Sequence, residues 1–422
     1  MRILVLAGIT PNEPHDGDKL RLHHFLRQLK RRGHRVDLFC LTREKAETSA
    51  GFDWKDLADR VHLQHLDDRE MCLNLAGGLL AGMSWNVSAY HSPHFRQALG
   101  AHAASQEGRV TGAVLAYRLR MVPYAEFFLK ARSAGHPEVR PIPWVLDYTD
   151  CMTNYTRQAA RQSGIPWSRR AVAWWDAPLL ADEERHAALA ADACLAVSEG
   201  EREELIRLGA PADKITVVPN GVPKAAKGRR LRPDLYPAKT PVAAFVGNLG
   251  YAPNEDGVRW FIEKVWPTVR AIVPDAVFCA VGGSPRPDLL ALDNGRDIRV
   301  RGFVPDLVPY LSHATCTVAP LRVAAGFQNK IALSLIQGVP VVATPQALRW
   351  LPKAARGGVR ESENPIDFAH HVADLLFQLE GDASKARRSG AALRRLYSWE
   401  VSGKKLDALL RKLAVQKRVS NK

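Results

Sequence analysis

Short, wholly apolar runs alternate along the chain with stretches whose apolar residues recur every three or four positions. Ile3–Ala7 is such a run, followed by a polar loop from Thr10 to Asp18. A helix is predicted over about Lys19–Arg32, with Leu20, Leu22, Phe25, Leu26 and Leu29 on its apolar face and Gly33 as its stop. Val36–Leu41 is the next strand, which completes a βαβ unit. Further strands are predicted at Val61–Leu63, Ala113–Ala116, Trp144–Asp147, Cys194–Val197 and Ile215–Val218. Because these runs are mostly apolar and short, they predict a parallel sheet covered on both faces.

The second half repeats the plan. Strands are predicted at Val242–Val246, Val277–Val281, Ile298–Gly302, Cys316–Ala319 and Val341–Ala343, with helices at Asp256–Ile272 and Asn329–Gln337. A last helical region, Ala383–Gln416, is broken at Tyr397–Trp399. Residues 223–241, rich in Lys, Arg and Pro and without periodicity, read as a linker between lobes 1–222 and 242–395, with 396–422 a C-terminal helix crossing back to the first lobe. The expected fold class is α/β: two Rossmann-like parallel-sheet lobes whose strand ends face each other across a ligand-binding cleft.

A chain of 422 residues is long enough for two lobes of ordinary size. Its formal net charge of +15 suits anionic partners, whether nucleotide diphosphates, nucleic acid or an acidic membrane surface, without choosing among them. The six cysteines are scattered and form no CxxC pair, which points to reduced thiols and away from zinc. MRILVLAG enters a strand at once and lacks a secretory pattern, so a cytoplasmic protein is expected. No run reaches a membrane span. LNLAGGLLAGM at Leu73–Met83 reads as a buried segment or an interfacial contact, the latter allowing peripheral association with the inner face of the plasma membrane. Trp174 and Trp175 read as packing or, together with Trp167, as an acceptor or membrane contact.

The richest segment for chemistry is VAPLRVAAGFQNKIALSLIQGVPVVAT at Val318–Thr344. A strand ends near Pro320, a loop carries Arg322 and Gly326, and a helix opens at Gln328–Asn329. Free amides at a helix start attract phosphate, Gly326 allows close backbone approach, and Arg322 and Lys330 add fixed positive charge. An ordinary strand–loop–helix with two surface cations would look the same in isolation.

This segment is similar to the donor-binding stretch of retaining glycosyltransferases of family 4, which have the GT-B fold. Bacterial exopolysaccharide and exosortase-associated sugar transferases are the nearest likeness. Further motifs fall in the family's order: GDK at Gly17–Lys19, LDYTD at Leu146–Asp150, VSE at Val197–Glu199, VVPNGV at Val217–Val222, GNLGYAPN at Gly247–Asn254 and GFVPDLVPYL at Gly302–Leu311. The resemblance implies transfer of a sugar, with retention, from a nucleoside diphosphate sugar to a glycan or lipid-linked acceptor, in glycan or exopolysaccharide synthesis. It assigns the diphosphate to Gly326, Gln328, Asn329, Lys330 and Arg322, and the nucleobase turn to Val304 and Pro305. Gly247 and Asn248 open the donor-lobe loop, and Gly17 lets backbone approach the donor phosphate from the first lobe. Asp147 and Asp150 are assigned to orienting an acceptor hydroxyl or to capping the next segment. Asp18, Arg118 and Arg120 lie on the acceptor side, where the two arginines suit an anionic acceptor such as a lipid-linked diphosphate or form a solvated positive edge. Arg322 and Lys330 replace a divalent metal, so no metal or other cofactor is expected. Asp16 and Asp18 mimic a DxD metal motif, but in the wrong lobe.

One departure stands out. The glutamate that usually grips the ribose hydroxyls is Leu333 here, and its partner eight residues earlier is Ala325. A leucine accepts no hydrogen bond, which removes about 2–3 kcal/mol of nucleotide binding. The alternative is therefore a catalytically weak GT-B protein that binds without turnover. A dehydrogenase would need G-x-G-x-x-G after the first strand, where AGITPNEP stands. Nucleic-acid binding rests on charge alone, with no matching motif.

Overall fold

In the computed structural model the described residues are 1–12, 17–43, 52–136, 138–161, 167–222, 240–324, 327–377 and 381–419. The expected linker lies almost wholly outside them, as do Asp16, Ala325 and Gly326. The chain divides into two compact units, Met1–Asn220 with Trp399–Lys422, and Gly221–Ser398.

The first unit is built on seven strands: β1 (Arg2–Ala7), β2 (Arg35–Thr42), β3 (Arg60–His65), β4 (Thr111–Tyr117), β5 (Trp144–Thr149), β6 (Ala193–Ala196) and β7 (Ile215–Val217). Their order is β3-β2-β1-β4-β5-β6-β7 and every pairing is parallel. The apolar runs form the central strands: Ile3–Ala7 and Ala113–Tyr117 are fully buried. Leu22, Phe25, Leu26 and Leu29 of the Gly17–Arg31 helix cover one face. The Trp399–Val419 helix packs on that same face through Trp399, Leu406 and Leu410. Gly403 makes this crossing close, since a Cβ there would lie 2.5 Å from Gln28 Cβ. His24 stacks on Trp399 with ring centroids 4.4 Å apart, and burial pushes the His24 imidazole pKa down to about 4. The C-terminal helix thus belongs to the first unit, as expected of the fold class.

The second unit has six strands: β8 (Val242–Val246), β9 (Val277–Val281), β10 (Ile298–Arg301), β11 (Cys316–Ala319), β12 (Val341–Ala343) and β13 (Val359–Glu361). The order β10-β9-β8-β11-β12-β13 is again wholly parallel. The order in which successive strands are added to each sheet reverses beside its first strand, between β1 and β4 and between β8 and β11. Clefts at strand carboxyl ends open at such points.

Three sequence expectations change. β13 was not foreseen, because two half-exposed residues and an exposed one, two of the three charged, carry no apolar run. The helix expected at Asp256–Ile272 starts earlier, at Ala252, and is divided by a π turn at Phe261–Val265. Pro267 has no N–H to bond the Glu263 carbonyl, which accounts for the loosened turn before it. Leu73–Met83 is not buried: it belongs to the Asp68–Leu80 helix and the turn after it, with Leu73 and Leu80 75% and 90% exposed. Only Gly78 of that helix packs tightly, against Ser88. Trp167 and Trp174 are likewise exposed, which removes the packing reading for Trp174. All six cysteines are free thiols, and only Cys72 is exposed. No described helix is long and apolar enough to cross a membrane.

Candidate functional site

In the second unit the site is built where β8 and β11 end. β8 runs into Gly247 and Asn248, and β9 into Gly282. The two turns touch so closely that a Cβ on Gly282 would lie 1.7 Å from the Gly247 carbonyl oxygen, so only glycine fits. The Ala252–Trp260 helix follows, and a Cβ on its Gly257 would lie 2.6 Å from the Pro320 carbonyl oxygen at the end of β11. The close approach of that helix to the β11 exit brings distant residues together. Asn254 Nδ2 donates to the Asn248 carbonyl at 2.7 Å, while its Oδ1 accepts from Lys330 Nζ at 2.8 Å. Lys330 also donates to Gln328 Oε1 at 3.3 Å and stands 5.3 Å from the centre of the Phe245 ring.

Both of these Lys330 partners are neutral amide oxygens, and desolvation lowers its pKa from the ordinary 10.5 to about 8. Gln328 caps the Asn329–Ile336 helix by position, without a side-chain bond to its amides. Asn329 is exposed at the first turn, and Leu333 is half-exposed one turn further on. Arg322 is exposed and forks onto Asp256, two residues beyond Asn254; the Nε–Oδ2 distance is 2.9 Å. Gly247, Asn248, Asn254, Gln328 and Lys330 therefore form one group, Asn329 follows Gln328 at the helix start, and Arg322 is held by Asp256 of the Ala252–Trp260 helix. Val304 and Pro305 follow β10, two strands from β8. Val304 packs against the buried Val242, Val277 and Val281, and Pro305 is exposed.

The first unit carries a different group at its own reversal point. Arg21 is 1% exposed, and its Nε and Nη2 meet the fully buried Asp147 carboxylate at 2.8 and 3.0 Å. Its Nη1 donates to the Val218 carbonyl at 2.8 Å and to Asn220 Oδ1 at 2.9 Å. Both Asp147 oxygens are thus engaged, one of them also by the Thr149 amide at 3.1 Å. The pair ties the first helix to the ends of β5 and β7. Asp18, in the first turn of the helix that begins at Gly17, pairs with Arg118, and Tyr117 donates its hydroxyl to the Asp18 carbonyl at 2.8 Å. Asp150 is exposed at the same rim, and the Met152–Arg161 helix after it takes its cap from the buried Glu184 instead, whose Oε1 accepts from the Met152 amide at 2.8 Å.

Two residues here hold backbones that side chains rarely adopt: Arg118 at φ 74° and Thr149 at φ 60°. Strain of this kind, about 1–3 kcal/mol per residue, concentrates at functional sites. Arg120 lies with its guanidinium 4.1 Å above the Tyr90 ring. Gly8 clears its path, since a Cβ there would lie 2.5 Å from Arg120 Cδ. Sequence reasoning missed Gly8, Arg21, Tyr90, Asn254 and Gly282. Asn254 alone left a signal, as the last residue of a motif already singled out.

Two Rossmann-type sheets, the second with a desolvated lysine and a helix start at its reversal point, define a nucleotide-binding architecture of the two-unit α/β class. Residues 19–221 match the glycosyl transferase 4-like domain, and residues 240–378 match the glycosyl transferases group 1. The chain belongs to the glycosyltransferases, with the GT-B fold. No curated protein matches its sequence. Among solved structures, Anabaena HepE in complex with UDP is similar over 98% of this chain and 100% of its own, at 15% identity and a TM-score of 0.66. HepE has also been solved with UDP-glucose, at 14% identity, a TM-score of 0.64 and the same coverage. Sucrose-phosphate synthase from Thermosynechococcus elongatus follows at 17% identity and a TM-score of 0.65, over 99% of this chain and 100% of its own. At these identities the likeness is one of fold.

Proposed function

We propose that the second unit binds a nucleoside diphosphate sugar and that the chain transfers its sugar, with retention, to a hydroxyl acceptor held by the first unit. The observation that carries this reading is Lys330: a cation withdrawn from water, held at a helix start by two amide oxygens. Such a group is stabilised by an arriving diphosphate far more than a solvated lysine would be. The acceptor oxygen forms the new bond to C1 as the C1–O bond to the diphosphate breaks, and the acceptor proton passes to a departing phosphate oxygen. Lys330, Arg322 and the amides at Gln328–Lys330 stabilise the charge that develops on the leaving group. They supply the positive charge that a divalent ion would otherwise bring, so the reaction is assigned without a metal. The solved HepE complexes with UDP and UDP-glucose make uridine diphosphate the first nucleotide to test.

A second reading, binding without turnover, is favoured by Leu333 in place of a ribose-gripping glutamate. Calorimetric titration with UDP, GDP, ADP and dTDP tests the donor site. One of them is expected to bind, and Lys330→Met is expected to weaken it 30- to 150-fold, about 2–3 kcal/mol for a charged hydrogen bond. Equal affinity in the variant removes the lysine from the site. Release of the free nucleotide from its sugar conjugate, dependent on an acceptor extract, then separates transfer from binding alone.

The acceptor is assigned to the strand ends of the first unit, with Asp18, Arg118, Arg120 and Asp150 around it. Asp147 is read there as a positioning residue, its carboxylate being held by Arg21. A role in exopolysaccharide or other glycan synthesis and peripheral attachment to an anionic membrane are parts of the same proposal. The net charge and the exposed Leu73, Leu80, Trp167 and Trp174 support the attachment.

A further inference from the structure

The Asn329–Ile336 helix, which carries Lys330 in its first turn, is braced by the Asp382–Leu396 helix. At its far end the fit is close: a Cβ on Gly390 would lie 2.3 Å from the Leu335 carbonyl oxygen. Arg394 Nη1 donates to the Ile336 carbonyl beside it at 3.4 Å. Ahead of its start, ring meets ring. Phe327, the residue before Gln328, stacks on Tyr397 with centroids 5.0 Å apart and planes 17° from parallel. Tyr397 closes the bracing helix, its amide donating to the Leu393 carbonyl at 2.8 Å. Its own carbonyl accepts from the Val222 amide at 2.5 Å, and Val222 and Ser398 form an isolated parallel bridge. The chain enters the second unit at Gly221 and leaves it at Ser398. One aromatic residue thus meets the approach to the lysine helix with its ring and the paired entry and exit passages with its backbone.

We infer that Tyr397 is a positioning residue for the donor site, coupling it to the passages by which the chain enters and leaves the second unit. Its ring holds Phe327, and through Phe327 the Gln328–Lys330 turn, in the placement that receives a diphosphate. This role rests on the donor reading above and deepens it. Lys330 Nζ has two amide partners, and they are fixed by different means. Asn254 is anchored by the Asn248 carbonyl, whereas Gln328 follows directly on Phe327. A displaced Phe327 ring therefore moves one partner of the lysine and leaves the other in place. Stacked rings prefer particular offsets and orientations beyond the area they bury, so the pair favours one placement of the loop where a plain apolar contact would allow several. A nucleotide that orders Gln328–Lys330 orders the stack with it, and the hydrogen bond from Val222 to Tyr397 then opens less often.

The test uses the full chain and two variants: Tyr397→Leu keeps apolar bulk without a ring, and Tyr397→Phe keeps the ring face. Titrated with UDP by calorimetry, Tyr397→Leu is expected to bind about three- to tenfold more weakly than the parent, and Tyr397→Phe within about twofold of it. In the free proteins, NMR titration of lysines labelled with carbon-13 at Cε is expected to find Lys330 closer to the ordinary lysine value in Tyr397→Leu than in the parent, because water reaches a loosened turn. Exchange of the Val222 amide is expected to slow on adding UDP to the parent and to Tyr397→Phe, and to stay unchanged in Tyr397→Leu. A lowered Tm in Tyr397→Leu with none of these changes means that the ring only fills space, and overturns the role. Equal losses in Tyr397→Phe and Tyr397→Leu also overturn it, since the ring face is then not what matters. The two readings fail separately. If UDP binds none of the proteins while the Lys330 titration still moves in Tyr397→Leu, the donor reading falls and the positioning of the lysine stands. If UDP binds all three alike and Lys330 titrates alike, the donor site stands and Tyr397 has no part in it.

Discussion

The two sheets share one plan, yet the groups at their reversal points are charged in opposite ways. In the first unit Arg21 lies on Asp147 and Arg118 on Asp18. In the second, Lys330 is enclosed among amide oxygens and an aromatic ring, and its pKa falls to about 8. A neutralised pair braces the fold and asks nothing of a ligand. A desolvated cation with neutral partners is a standing cost to the fold, recovered when an anion arrives. On the function proposed above, strand ends serve as brace in the first unit and as anion seat in the second.

Breaking the brace is expected to have the largest effect. Arg21→Met leaves Asp147 buried and without its counter-ion, a loss of about 3–5 kcal/mol. Chemical denaturation followed at the first unit's tryptophans would measure it, and a loss under 1 kcal/mol would mean that the pair is dispensable. The paired change Arg21→Met with Asp147→Leu should recover much of that loss, because no isolated charge remains.

The anion seat is sharpened by pH. Lys330 has a depressed pKa in the folded protein, so between about 8 and 10.5 the unfolded chain binds more protons than the native one. Stability from this group therefore rises with pH across that window and is lost as pH falls through 8. Diphosphate binding runs the other way, since it needs the charged form. Affinity should be level below pH 7 and fall up to about tenfold per unit above pH 8, or about 1.4 kcal/mol. Lys330→Met, although weak, should lack that slope, and calorimetry at pH 9 in buffers of different ionisation heat would show proton uptake only in the parent. A slope shared by both proteins would place the titrating group elsewhere. The smallest change expected is a gain: Leu333→Glu should tighten nucleotide binding by about 1–2 kcal/mol if this half-exposed position faces the ribose. Unchanged or weaker affinity would show that the helix presents another face to the nucleotide.

Much of this was legible in the sequence, for a local reason. Strands buried on both faces are mostly apolar, so Ile3–Ala7, Val242–Val246 and Val277–Val281 announce themselves within a few residues. The break before Trp399 was equally plain. The charged edge strand β13 was not, because a strand paired on one side need not be apolar. The site residues divide the same way. Lys330 and Gln328 are neighbours in sequence and were found together. Asn254, which holds Lys330, lies 76 positions away, and Arg21 lies 126 positions from Asp147.

By itself the sequence determined the alternation of strand and helix, the division into two units and the kind of chemistry on offer, since periodicity and local composition respond to burial that each segment experiences wherever it packs. Only the tertiary structure decided which cations meet carboxylates and which meet neutral amide oxygens. That depends on which strand ends meet, and two charges hundreds of atoms apart along the chain carry no mark of each other until the sheets have closed.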